Sequence, residues 1–191
     1  THAVEAYIGR DGTPFTDAKA KDAVKLIFAN LEIAYREGSN LNARAAMLLA
    51  SNEAGAAFTR AFVGYVHALA HSLGGLYGVA HGLANAIALP YVLEYYGESA
   101  EAKLADLAIA VGLDKTEEPG TDLAAAFIHR IRAMNAAMGI PESVKELKEE
   151  DIPLLVKRIL REANPAYPVP RIMDAEGCAA LLRRLIQKTP R

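Results

Sequence analysis

Three of the five histidines in the chain, His67, His71 and His81, fall within a short part of an otherwise apolar stretch running from Ala57 to Tyr96. On a helix, His67 and His71, four positions apart, project from one face about one turn apart. The segment Gly74-Gly75-Leu76-Tyr77-Gly78 offers a break at which the chain can turn, so that His81 opens a second helix pointing back at the first. Imidazole is the usual nitrogen ligand of Zn(II) and Fe(II), so rigid histidines brought together in an apolar setting suggest a metal site. The same spacing also fits packed core histidines, with the glycines forming a plain helix C-terminus. Spacing alone leaves both readings open.

The elements that must carry these residues read as helices throughout. After a loop at Asp11-Gly12-Thr13-Pro14, Thr16 is placed to cap a helix with Ala20, Val24, Ile27, Leu31 and Ala34 on its apolar side and Gly38 as its stop. Leu41, Ala45, Leu48 and Leu49 repeat the period. Beyond Ser51 the sequence becomes apolar nearly all round, through Ala54, Phe58, Phe62, Val66 and Leu69, which predicts a central, buried helix. Pro90 inside the segment from Leu83 to Tyr95 predicts a kink. Further helices are expected over Ala100 to Val111, from Thr121-Asp122 to Gly139, over Glu150 to Glu162 and over Asp174 to Gln187. The run Asn164-Pro165-Ala166-Tyr167-Pro168-Val169-Pro170 is too restricted for helix and reads as a connector. No segment alternates with period two, and no glycine-rich phosphate loop follows a strand-like run. The expected fold is all-α, a helical bundle forming one domain over residues 1–191.

Composition narrows the function classes. With 191 residues and 52% hydrophobic content, the chain can bury one substantial core. A net charge of −2, without long blocks of like charge, gives no footprint for nucleic acid and no basic membrane face. One cysteine, Cys178, excludes an internal disulfide, and no signal peptide or membrane span is read, so a cytoplasmic location is expected.

The run Gly64-Tyr65-Val66-His67-Ala68-Leu69-Ala70-His71-Ser72-Leu73-Gly74, followed by His81-Gly82-Leu83-Ala84-Asn85-Ala86 and Leu89-Pro90, resembles the signature of the iron-containing (group III) alcohol dehydrogenases. Thr1-His2-Ala3-Val4-Glu5-Ala6-Tyr7 is similar to that family's first metal-binding helix, and Asn164-Pro165 sits where the family has a late Asn-Pro. Ala80 departs from the pattern, which usually has proline before the histidine. The resemblance implies the C-terminal helical half of such an enzyme, of the dehydroquinate synthase-like type.

By position, the resemblance makes His2, His67 and His81 the metal ligands, with an aspartate four residues before His2, outside the sequence, as the fourth. It makes His71 a catalytic group near the nicotinamide, able to relay a proton or orient substrate, and Phe58 a wall of the substrate pocket. Packing alone also accounts for Phe58 on a buried helix. His129 matches no role and reads as a surface residue; Cys178 reads as packing. The implied cofactors are Fe(II), with Zn(II) as the other candidate ion, and NAD or NADP. The implied reaction interconverts an alcohol and an aldehyde or ketone. The expected partners are that small molecule, an N-terminal nucleotide-binding half and further copies in a homo-oligomer, and the chain on its own is expected to fold but stay silent. Two alternatives stand beside this reading. One is a non-catalytic metal-binding or assembly domain of the same fold. The other is a tri-histidine hydrolase, which would need Glu5 or Glu53 as its base.

Overall fold

Leucine and alanine at helical period, punctuated by glycine, proline and short polar caps, dictate helices, and helices make up the computed structural model, which describes residues 1–115 and 120–187. In chain order they are α1 (His2–Ile8), α2 (Pro14–Arg36), α3 (Leu41–Ala61), α4 (Tyr65–Tyr77), α5 (His81–Tyr96), α6 (Glu98–Ala110), α7 (Leu123–Ala137), α8 (Ile152–Ala163) and α9 (Ala175–Leu185). No strand occurs among the described residues; an isolated bridge pairs Val144 with Ile186. The core is one connected apolar cluster, with Tyr65, Tyr96, Phe127, Leu69 and Leu93 among its largest fully buried side chains. Among the described residues, no helix is long and apolar enough to cross a membrane.

Local chemistry sets the helix ends. The cap of α2 is Thr13, not Thr16: the Thr13 hydroxyl accepts from the Thr16 amide while the Thr16 hydroxyl accepts from Thr13 N, and Pro14 follows at a position where a missing N–H costs nothing. Asp122 and Asp174 cap α7 and α9 as the sequence pattern expects. Pro90 lies within α5, which runs on through it. Proline cannot donate to the Ala86 carbonyl, and the Asn135 side-chain amide of α7 does so instead, at 2.8 Å.

The expected single buried helix from Ala54 through Leu69 is two helices. α3 ends at Phe62, whose φ of 62° no helical residue adopts, and α4 begins after Gly64. Nor does α3 turn its leucines inward. Its buried positions are Ala43, Ala50, Ala54, Ala57 and Ala61, while Leu41, Leu48 and Leu49 are exposed. Alanine allows the close approach of α2 and α1, the neighbours α3 packs on most. α4, by contrast, is buried along most of its length and lies against α5 and α8. It also runs through Gly74 and Gly75, so the turn before His81 is shorter than the glycine spacing suggested: Gly78, at φ 72°, closes α4 with its N–H on the Gly74 carbonyl, and α5 opens at His81.

Candidate metal centre

Two helix starts and one helix interior meet here. His2 is the first residue of α1, His67 and His71 lie on α4, and His81 is the first residue of α5. α1 is held from its far end, where the Lys103 ammonium donates to the carbonyls of Tyr7 and Gly9, opposite charge against the negative end of a helix. α4 is held through Tyr65, whose hydroxyl accepts from Met173 N and donates to Asn164 Oδ1 in the connector after α8. The chain thus fixes the helices before any ligand is considered.

The imidazoles form one group. The His67 ring lies 4.3 Å from that of His2 and 5.4 Å from that of His81, centroid to centroid. His71 stacks on His81 at 5.2 Å and stands edge-on to His67 at 5.9 Å. Phe58, half-buried at the end of α3, stacks on the other side of His2 at 4.0 Å. It therefore faces the histidines as well as the core. His129 is exposed on α7, away from this group, and Cys178 is buried, its thiol pushed up to about 12 by burial.

Glu5 organises the buried side of the group. Its carboxylate is almost fully buried; Oε2 accepts from His67 Nδ1 at 2.6 Å and Oε1 accepts from the Val66 amide at 2.8 Å. The second bond supplies the cap that Gly64, lacking a side chain, cannot give to α4. Because a carboxylate only accepts, His67 carries a hydrogen on Nδ1, and in the neutral ring the lone pair is then on Nε2. His67 Nε2 is buried and has no hydrogen-bond partner. Gly64 makes room for the arrangement, since a Cβ there would stand 2.7 Å from Glu5 Oε1 and 3.2 Å from the Tyr96 hydroxyl.

The pKa directions of His2 and His81 favour neutral rings. His2 is pushed down to about 4, chiefly by burial and then by the neighbouring imidazoles, and His81 is lowered by burial and by His67 and His71. Neutral imidazole is the form that binds a metal. Among the described residues, no set of three or more His, Cys, Asp or Glu side chains is already gathered around one point. His81 accounts for part of this: the Asn85 amide nitrogen lies 3.1 Å from its Nε2 and 3.0 Å from its carbonyl, holding the ring over its own helix. A shared ion would require that ring to turn from Asn85. His67 needs no such change. An orphaned, buried Nε2 with its tautomer already set, between two further imidazoles, fits a divalent cation of borderline softness.

The family model for the Fe-containing alcohol dehydrogenase family, C-terminal, matches residues 1–186. The chain belongs to the iron-containing alcohol dehydrogenase family. It is 44% identical over 186 residues to the 1,3-propanediol dehydrogenase of Citrobacter freundii, covering 96% of this chain and 48% of that protein. It is 34% identical over 191 residues to the NAD-dependent methanol dehydrogenase of Bacillus methanolicus, covering 97% and 49%. The crystal structure of a 1,3-propanediol oxidoreductase superposes with a TM-score of 0.90 at 42% identity, over 97% of this chain and 49% of that one. The chain therefore spans about half the length of the iron-containing alcohol dehydrogenases it matches, and the all-α architecture expected from its sequence is that of the family's C-terminal region.

Sequence reasoning missed how carboxylates hold the site. Glu5 entered it only as a possible base, although its position three residues after His2, one turn along the same face, was a usable signal. Glu162, whose Oε1 lies 2.7 Å from His71 Nδ1, is 91 positions away in sequence, and nothing local announces it.

Proposed function

We propose that this chain is the metal-holding, substrate-facing part of an NAD(P)-dependent alcohol dehydrogenase that interconverts an alcohol and its aldehyde or ketone. The observation that carries the reading is the buried, unpartnered His67 Nε2 between His2 and His81, in a member of this family. His2, His67 and His81 would hold Fe(II), or Zn(II) in its place, with an aspartate preceding Thr1 as the further ligand. When bound, such an ion supplies a Lewis acid that makes an alcohol more acidic and polarises a carbonyl.

The chain's own residues do the rest of the work assigned to it. Glu5 orients His67 and keeps its Nδ1 protonated. Phe58, stacked on His2, gives the pocket an apolar wall that excludes water beside the reacting carbon. His71, one turn beyond His67 and more open to solvent, meets the substrate hydroxyl near the nicotinamide, orienting it or relaying its proton. Hydride chemistry belongs to the nicotinamide cofactor, which we assign to the additional half that the matched relatives possess. We take residues 1–191 as one helical domain of a cytoplasmic homo-oligomer.

The test uses the full-length protein. Metal analysis and nicotinamide-dependent alcohol oxidation are measured for the wild type, His67→Ala and His71→Ala. The wild type is expected to carry stoichiometric Fe or Zn and to turn over; His67→Ala should lose both, and His71→Ala should lose turnover while keeping the metal. A wild-type protein that binds metal but shows no oxidation would favour the non-catalytic domain instead. Equal metal loss in the two variants would make His71 a ligand.

A further inference from the structure

His71 is held by a second set of groups that the ligand cluster does not use. Its Nδ1 lies 2.7 Å from Glu162 Oε1 on α8, and the same oxygen accepts from the Tyr167 hydroxyl at 2.8 Å. Tyr167 lies in the connector just after α8, with its amide on the Ala163 carbonyl, so the hydroxyl approaches Glu162 from a fixed piece of backbone. The phenol is pushed well above its ordinary range, first by burial and then by the Glu162 carboxylate, and it stays a donor. A carboxylate oxygen has no hydrogen to give, so His71 must supply the hydrogen in its own bond. In the neutral ring this is the Nδ1–H tautomer, and Nε2 then keeps its lone pair.

Stability does not explain this arrangement. The His71 and Glu162 side chains are 45% and 32% exposed, and pairs in that setting add little to folding. What the pair does achieve is orientation. On α4 an exposed histidine is otherwise free to choose among rotamers, and its only other neighbours in the group are the rings of His81 and His67. Beside it opens a surface cleft of about 350 Å³ bounded by His71, Ser72, Arg158, Arg161 and Glu162.

We infer that Glu162, braced by Tyr167, is a positioning residue for His71, fixing its ring and tautomer so that Nε2 is presented as a hydrogen-bond acceptor to the hydroxyl of the bound alcohol. The inference rests on the proposed dehydrogenase reading, in which His71 meets that hydroxyl. In this role Glu162 acts through His71.

Steady-state kinetics and metal content of the full-length, metal-loaded enzyme test it, comparing wild type, Glu162→Ala, Glu162→Gln, Tyr167→Phe and His71→Ala, and the double variant of Glu162→Ala with His71→Ala. Glu162→Ala is expected to lower kcat by about 10–100-fold, the range found when groups that orient site histidines are removed, with KM and metal content little changed. Glu162→Gln should recover most of the loss, because its amide oxygen still accepts from Nδ1–H. Tyr167→Phe should cost about 5-fold, since one brace on the Glu162 carboxylate is lost while water at the cleft can take its place. In the His71→Ala background, Glu162→Ala should cost nothing further, since a residue that acts through another has no effect once that other is gone. Unchanged kcat in Glu162→Ala, no recovery in Glu162→Gln, or an equal loss in both backgrounds overturns the inference while leaving the dehydrogenase reading intact. A metal-loaded wild type without alcohol oxidation overturns both.

Discussion

One turn apart on α4, His67 and His71 each meet a carboxylate at nearly the same distance, 2.6 Å and 2.7 Å, but the surroundings of the two pairs diverge. The first pair is 3% and 1% exposed, its carboxylate also caps α4, and its free ring nitrogen is sealed in the interior. The second is 45% and 32% exposed, and its carboxylate is braced by a tyrosine at the rim of a cleft. Equal geometry therefore does not mean equal worth. In low dielectric, an ionisable group that loses its partner keeps its desolvation cost, whereas near the surface water replaces the partner. The buried pair belongs to the architecture that preforms a ligand, and the exposed pair can direct a side chain at small cost to the fold.

Removing the buried partner is the strongest test of that contrast. Glu5→Ala strips His67 of its acceptor and the Val66 amide of its cap in one change, and is expected to destabilise the metal-free protein by about 3–5 kcal/mol. Glu5→Gln keeps one acceptor oxygen, for either the Val66 amide or the His67 Nδ1–H, and turns an amide N–H toward the other, so it should cost less than Glu5→Ala without being neutral. Denaturant unfolding measures this; a loss below about 1 kcal/mol in Glu5→Ala would mean that burial does not set the value of the pair.

A smaller perturbation leaves the carboxylate in place and crowds it. In Gly64→Ala, the new Cβ would lie 2.7 Å from Glu5 Oε1, a side chain pinned at both oxygens and unable to swing away. Overpacking of this kind costs about 1–3 kcal/mol. If thermal unfolding of Gly64→Ala matched the wild type, the carboxylate would have more freedom than its contacts imply.

The buried side also carries a pH signature. His2 titrates at about 4 in the fold against an ordinary 6.5. Between those values the unfolded chain binds a proton that the folded chain does not, so this contribution is complete above pH 6.5 and is lost as pH falls toward 4. Discounted for the partial exposure of His2, the loss in the metal-free protein is about 1–2 kcal/mol. Chemical denaturation at pH 7 and pH 5 measures it, and equal stability at both would remove His2 from the desolvated side of the comparison.

The helical architecture and the histidine grouping were legible in the sequence because both rest on periodicity and short spacing. Three features were not, each for a physical reason. Leu41, Leu48 and Leu49 look like a core face, but the close approach of α1 and α2 to α3 selects its alanines, and no single-helix pattern shows which neighbour will come near. The break at Phe62 interrupts an apolar run with an unfavourable backbone conformation that composition does not foretell. The Glu162 contact joins α8 to α4 across 91 positions, and tertiary pairing at that distance leaves no local trace. Glu5 stood between these cases: its spacing from His2 was visible, but its partner is fixed only when α1 packs beside α4.

The smallest expected stability change belongs to the exposed pair. Glu162→Ala frees the His71 Nδ1–H and the Tyr167 hydroxyl, and both can turn to water at the cleft without a large desolvation cost. The stability change should be about 0–1 kcal/mol, several-fold below that of Glu5→Ala despite the matching bond length. Salt sharpens the distinction. Charges near the surface are screened over roughly 10 Å at 0.1 M ionic strength, and buried ones much less. The small cost of Glu162→Ala should therefore shrink further at high salt, while that of Glu5→Ala should persist. Unfolding of both variants and the wild type at low and high ionic strength separates the two pairs. A Glu162→Ala loss above about 2 kcal/mol, insensitive to salt, would show that the rim pair is as structural as the buried one, and the division of labour between the two carboxylates would not stand.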